Sequence, residues 1–427
     1  MIKVQGDRAF GRGIEAGGWS LGRGWSWSSK GAAVSGRLRN RRGRLVLGLA
    51  TLTMALAWAT AAVAAPGWSV VPSVDPSASE NVLNAVAVHN SSDAWAVGQF
   101  LAPDQDDDGL NMLTEHWNGS SWTQVAAPAV LHRDESLLAV SASSASDAWA
   151  VGFTKTVSAA GRNPLAVHWN GSNWTIVATP TLTGGSKSTL NGVVALSPTN
   201  AWAVGRGRNG AALAEHWNGT AWATVQVPTP AGAASSQLSG ISALSPSDMW
   251  AAGSVATVVG TTVQTRTLVE HWNGRAWSIV TSRNATNSNL LTGVAAVAAN
   301  NVWAVGYTVT TDGTNQPDKT LIEHWNGSAW SLVASPSPAS NDTLSGVAAR
   351  SASDVWAVGT RQDRSGPIPI DRTLTEHWNG SAWSVVASPN VGGNDNLLNG
   401  VGATSGDVWT VGSSEVTDHT LILRETG

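Results

Sequence analysis

From residue 67 onward, large apolar and small or polar positions alternate over short stretches, and no stretch carries a capped helical period. Asp354-Val-Trp-Ala-Val-Gly359 puts Trp356 and Val358 on one face of an extended chain, and Ala382-Trp-Ser-Val-Val386 does the same with Trp383 and Val385. These phrases recur. The first, with small variations, places a Trp at Trp95, Trp149, Trp202, Trp250, Trp303, Trp356 and Trp409. A second, Glu-His-Trp-Asn-Gly, places a His at His116, His168, His216, His271, His324 and His377. Another Trp follows each His-Trp pair, at Trp122, Trp174, Trp222, Trp277, Trp330 and Trp383, and Trp68 is a seventh of that kind. Every Trp after Trp58 is therefore a repeat position.

Each unit reads as four short β segments. An Asn-Gly step separates the third from the fourth and predicts a hairpin in which both turn residues take positive φ. A Ser-x-Ser-Asp step such as Ser351–Asp354 joins the first to the second, with the Asp free to bond turn amides. Four strands per unit of about 50 residues is the arithmetic of a propeller blade. The ends of the chain sharpen this. Repeat seven stops after its third strand, at residues 420–427, and the missing fourth strand lies at Trp68-Ser-Val-Val71. The pattern predicts an all-β, seven-bladed β-propeller of four-stranded antiparallel blades, with the N-terminal strand closing the ring in the C-terminal blade beside Leu421.

The first 64 residues are a different kind of chain. Residues 1–36 show no periodicity and are expected to be an unstructured extension. Residues 37–64 combine Arg37, Arg39, Arg41, Arg42 and Arg44 with an uncharged run from Leu45 and small residues at Ala62 and Ala64, the pattern of a secretory signal. A retained membrane anchor is the alternative. Either way residues 65–427, one propeller domain, are expected outside the cell, secreted or at its surface. They carry 15 basic against 27 acidic residues, a net of −12, which argues against a nucleic-acid partner. The chain has no Cys, which excludes disulfides, thiolate metal sites and a cysteine nucleophile.

Asp-Val-Trp-Ala-Val-Gly followed by Asn-Gly-Ser-Ala-Trp resembles the Trp-rich repeat propellers of exported bacterial proteins. Its rhythm is similar to the Asp-box (BNR-type) repeats of sialidases and photosystem-assembly propellers, although the Asp-box Ser and Asp are absent. The sevenfold Trp pattern also resembles tectonin-type lectins. The resemblance covers residues 67–427. It implies a propeller, and it leaves open binding, scaffolding and hydrolysis alike.

The repeated His lies at one equivalent place in six blades, which a single active site does not need. Its expected partner is the turn residue of its own blade: Asp93, Asp147, Asp248 or Asp354, or Asn200 or Asn301. The repeated Glu (Glu115, Glu215, Glu270, Glu323, Glu376, with Val167 in the second unit) is expected to be structural too. The Trp copies read as core, with rim-exposed copies the candidates for stacking on sugars. Asn-x-Ser/Thr triplets at Asn118, Asn170, Asn218, Asn326 and Asn379 match glycosylation acceptors, and the turns they occupy already account for them. One stretch is not repeated. Asp104, Asp106, Asp108, Gly109 and Glu115 match the D-x-D-x-D-G-x5-E spacing of a calcium loop, pointing to one structural calcium ion; the competing reading is a solvated acidic loop tip.

Loop lengths add the functional expectation. Second-to-third loops are long and unlike one another, and so are the connectors between units; in a propeller both emerge on one face. The chain is therefore expected to be a monomeric, non-catalytic module that binds an extracellular glycan or protein there. The alternative is a polysaccharide-acting hydrolase or lyase with Asp104, Asp312, Asp363 and Asp371 as candidate acids.

Overall fold

The computed structural model describes residues 67–101, 109–130, 133–156, 161–180, 187–309, 318–414 and 419–425. The expected extension and signal, residues 1–64, lie outside them. The described residues form seven four-stranded antiparallel sheets arranged as the blades of a propeller. Blade 1 runs from its inner strand Asn81–Asn90 through Asp93–Leu101 and Leu110–Trp117 to the outer Trp122–Gln124. Blades 2 to 6 follow within residues 133–177, 189–225, 233–280, 289–333 and 340–386. Blade 7 takes three strands from the C-terminus, Asn396–Ala403, Val408–Ser414 and His419–Glu425, and its outer strand from the N-terminus, Trp68–Val70. Trp68 pairs with Glu425 and Val70 with Leu423, and Trp68 shares a core cluster with Leu421. The ring closes as the repeat offset predicts.

The aromatic repeat builds the joints between blades. The second-strand Trp of each blade packs against the outer-strand Trp of the next and, at every joint but that between blades 6 and 7, against its third-strand Trp as well. Trp95 lies 4.8 Å from Trp169 and 4.9 Å from Trp174, and Trp149 lies 5.0 and 4.9 Å from Trp217 and Trp222. At the closing joint Trp409 meets Trp117 at 4.9 Å and Trp122 at 5.4 Å, and one joint earlier Trp356 meets Trp68 edge-on at 5.0 Å. Edge-to-face pairs add about 0.5–1.5 kcal/mol to the burial of each ring.

The invariant Gly of the Trp-Ala-Val-Gly phrase has a steric cause. A Cβ at Gly98 would sit 1.9 Å from the Val82 carbonyl oxygen, because the inner strand bulges toward it between Leu83 and Ala85. Polar links cross each joint as well. Asn84 Nδ2 donates to the Leu137 carbonyl at 2.8 Å, Asn191 to Leu238 at 2.9 Å and Asn399 to Leu83 at 2.9 Å, the last across the seam. Thr292 Oγ1 donates to the Leu344 carbonyl at 2.8 Å, and Ser141 and Ser242 each accept a backbone N–H from the next blade at 3.0 Å. Arg350 pairs with Glu425 between blades 6 and 7.

One turn differs from expectation. The Asn-Gly step is part of a four-residue loop between paired Trp residues, as between Trp117 and Trp122. Gly119 takes φ +94°, while Asn118 is not among the positive-φ residues. The Asn instead turns its side chain inward: Asn118 Oδ1 accepts the N–H groups of Ser120 and Ser121 at 3.0 Å each. That Asx bonding replaces the left-handed Asn a two-residue turn would need.

Candidate functional site

The six His residues are held as expected. Each Nε2 bonds the turn residue at the start of its blade's second strand: His116 and His168 meet Asp93 and Asp147 at 2.7 Å, and His271 and His377 meet Asp248 and Asp354 at 2.9 and 3.0 Å. His216 and His324 meet Asn200 and Asn301 at 3.0 and 2.9 Å. The last two have no carboxylate to favour the imidazolium, and burial pushes both below the ordinary His value. The turn amides expected to bond the Asp are served by Ser instead, as where Ser351 Oγ accepts from Ser353 N at 3.3 Å. Blade 7 performs the same task with other residues: Arg424 bonds Asp407 through Nε at 2.9 Å and lies over the Trp409 ring.

The repeated Glu is fully buried in all five copies. Two of them meet the connector that enters their blade. The sixth residue after each outer-strand Trp is Val74, Pro128, Pro180, Pro228, Arg283, Pro336 or Pro389. Where it carries an N–H, the Glu accepts it: Val74 N reaches Glu115 Oε2 at 3.3 Å, and Arg283 N reaches Glu323 Oε2 at 2.8 Å. Where it is Pro there is no donor. Both carboxyl oxygens of Glu215, Glu270 and Glu376 are buried without a hydrogen-bond partner. Blades 2 and 7, also entered past a Pro, place Val167 and Leu423 at this position. Burial raises Glu115, Glu270 and Glu376 to about 8 and Glu215 and Glu323 to about 7.

A further repeat position was not recognised in the sequence. Two residues before the inner-strand Leu stand Asn81, Glu135, Ser188, Ser236, Asn289, Asp342 and Asn396, all buried. Several tie down the blade connector: Asn81 exchanges two bonds with Ser77, Asn289 Oδ1 accepts from Ala285 N at 2.8 Å, and Asp342 Oδ2 accepts from Ala339 N at 2.9 Å. Its signal was polar variety at a fixed offset, which a search for identical letters passes over.

With the repeated polar residues bound inside blades, non-repeated ones gather on the long-loop face above blades 5 to 7. Gln362 pairs in register with Asp371, and its Oε1 accepts from Asn341 Nδ2 at 2.9 Å and Arg364 Nε at 2.8 Å. Asn341 holds φ +66°, and its Oδ1 accepts from Asp318 N at 3.1 Å. Asp395 Oδ1 accepts the Asp371 N–H at 2.7 Å. Burial and the Asp395 charge raise the Asp371 carboxyl, whereas the Ser365 N–H and hydroxyl lower Asp363. Tyr307, the single Tyr of the chain, is raised by burial and by Asp318. Of the four candidate acids, Asp363 and Asp371 thus share this cluster, while Asp104 and Asp312 lie outside the described residues.

Asp106 and Asp108 lie outside them too. Glu115 sits in the third strand of blade 1, five residues beyond its first residue Leu110, with its carboxyl in the closing joint. A calcium set using all four residues requires the loop to fold back over that joint. Among the described residues there is no group of three or more His, Asp or Glu positioned to hold a metal ion.

The fold defines a seven-bladed β-propeller. No protein-family model matches the chain, and no curated protein does. Solved structures match it in shape. The structure of "YCF48 from Cyanidioschyzon merolae" aligns with a TM-score of 0.52 at 16% identity, covering 84% of this chain and 98% of that one. An ulvan lyase of polysaccharide lyase family PL25 aligns with a TM-score of 0.52 at 11% identity, covering 82% and 94%. At such identities the likeness extends to the fold alone.

Proposed function

We propose that this propeller is an exported, non-catalytic binding module that takes an extracellular glycan or protein on its long-loop face, as a monomer. One observation carries the reading: repeated His, Glu and Trp residues are committed to packing within and between blades, while chain-specific polar groups converge on one face above blades 5 to 7. A rigid ring with variable loops on one face is a scaffold for recognition. The test is a binding screen of residues 65–427 against a glycan array and a cell-wall fraction, with calcium and then with chelator. Binding abolished by Asp371→Asn with Arg364→Ala, with the melting temperature unchanged, supports the reading. Binding indifferent to those changes removes the site from this face. Calcium-dependent binding would add the 104–108 loop to it.

A second reading, cleavage of a polysaccharide, has one observation in its favour: the raised Asp371 carboxyl beside Asp395 suits a general acid. New reducing ends or unsaturated products from acidic polysaccharides, lost in Asp371→Asn, would establish it.

A further inference from the structure

One joint departs from the repeat in a way that opens a second site. Between the outer strand of blade 4 and the outer hairpin of blade 5 lies a groove of about 390 Å³, lined by Ile279, Thr281, Arg283, Trp325, Ser328 and neighbours. Arg283 stands where five joints carry Pro and the seam carries Val74, so it is the one basic side chain at this repeat position. It is exposed, and its guanidinium makes a single described bond, Nε to the Trp330 carbonyl at 3.3 Å. No carboxylate of the described residues pairs with it within salt-bridge distance. Trp325 is half-buried. Trp250 covers it at 5.1 Å, and its indole N–H is fixed on the Ala299 carbonyl at 3.1 Å, so the ring that reaches the groove is held rigid. Ser328 and Thr281 add exposed hydroxyl-bearing residues at the rim.

A rigid indole, a guanidinium with unused donors and a rim of hydroxyls form a complementary set for one ligand chemistry. The ring takes the apolar face of a pyranose, the guanidinium takes a carboxylate through two parallel N–H groups, and the hydroxyls meet sugar hydroxyls. We propose that this groove is a subsite for a uronate residue of an acidic polysaccharide, separate from the long-loop face. The inference rests on the glycan half of the proposed function. An acidic peptide offers the same carboxylate but lacks the flat, hydroxylated ring that the Trp325 side of the groove fits.

The test follows indole N–H signals of the 15N-Trp-labelled propeller by NMR, with the Trp325 signal assigned from Trp325→Phe. The probes are trigalacturonate, neutral galactotriose and a tri-glutamate peptide. The expected result is a trigalacturonate-dependent shift of the Trp325 signal, weakened at least tenfold in apparent affinity in Arg283→Ala and partly restored in Arg283→Lys. Arg283→Ala keeps the backbone N–H that Glu323 accepts, so its fold is expected to be unchanged. Shifts confined to other signals and equal in Arg283→Ala would overturn the subsite and leave the long-loop reading standing. A tri-glutamate response without a trigalacturonate response would overturn it in favour of a peptide. No Trp325 shift at millimolar probe would overturn it outright, whatever the glycan screen of the long-loop face returns.

Discussion

The joint between blades 3 and 4 and the joint between blades 4 and 5 come from one repeat and differ in a connector residue. At the first, Pro228 offers nothing to Glu270, and both carboxyl oxygens are buried without a partner. At the second, Arg283 donates its N–H to Glu323 at 2.8 Å. Burial lifts Glu270 to about 8; Glu323 stops at about 7, with the Arg283 N–H and charge and the Thr267 hydroxyl pulling against burial. Glu215 reaches about 7 with no donor and Glu115 about 8 with one, so the donor is one influence among several. The repeat decides where the side chain goes, and the unrepeated neighbour decides whether it is satisfied. A joint without a donor favours the neutral acid, because an unpaired buried charge costs far more than a buried carboxylic acid.

The largest break comes from the layer both joints share. Trp202→Ala at the first joint and Trp250→Ala at the second each remove a ring packed on two Trp of the next blade, at 4.7 and 6.0 Å and at 5.1 and 5.5 Å. Each should cost about 3–5 kcal/mol by urea unfolding. Unequal costs would show that the joints differ in packing as well as in polar chemistry. Next comes Arg283→Pro, which makes the second joint resemble the first. Stranding Glu323 should cost about 1–3 kcal/mol at pH 9, and Arg283→Ala near zero. Equal losses for the two would assign the effect to the side chain.

The pH dependence separates the joints on a finer scale. An unfolded Glu titrates near 4.5, and the folded Glu270 near 8, so the folded state holds the extra proton between those values. Its stabilising effect is complete below about pH 4.5 and is lost as pH rises through 8. The melting temperature should therefore fall between pH 5 and 9, and Glu270→Gln should flatten that fall by about 1–2 kcal/mol at pH 9. An unchanged slope in Glu270→Gln would mean that Glu270 is ionised in the joint. The smallest effect is expected from Pro228→Ala, which supplies the missing N–H. It should bring Glu270 down toward its ordinary value and leave a net gain of about 0.5 kcal/mol after the loss of proline stiffness. Carboxyl titration by 13C NMR would read the shift directly.

The ring, its closure and the His partners were legible in the sequence because each depends on identical letters at a fixed spacing. The connector ties at Asn81, Asn289, Asp342 and Asn396 were not, since geometry there asks only for a short polar side chain and several types supply one. The fate of the Glu was hidden for a related reason. Its partner at residue 283 stands 40 positions earlier in the chain, in the preceding unit, so no pattern within a single repeat pairs them. The Gln362, Asp371 and Asp395 cluster escaped in part because the ends of two paired strands of blade 6 and the connector into blade 7 assemble it, with Asp371 and Asp363 marked only as loop carboxylates.

The seam has a consequence for the order of assembly. Ser69 and Arg424, which meet across it, are 355 residues apart, whereas blades 1 to 6 each fold from one contiguous stretch. The first strand to be synthesised is thus among the last to be placed. Closing so long a loop adds little to the equilibrium cost, which grows only with the logarithm of length. It weighs on the rate, because the third strand of blade 7 presents an unpaired edge until residues 68–70 arrive.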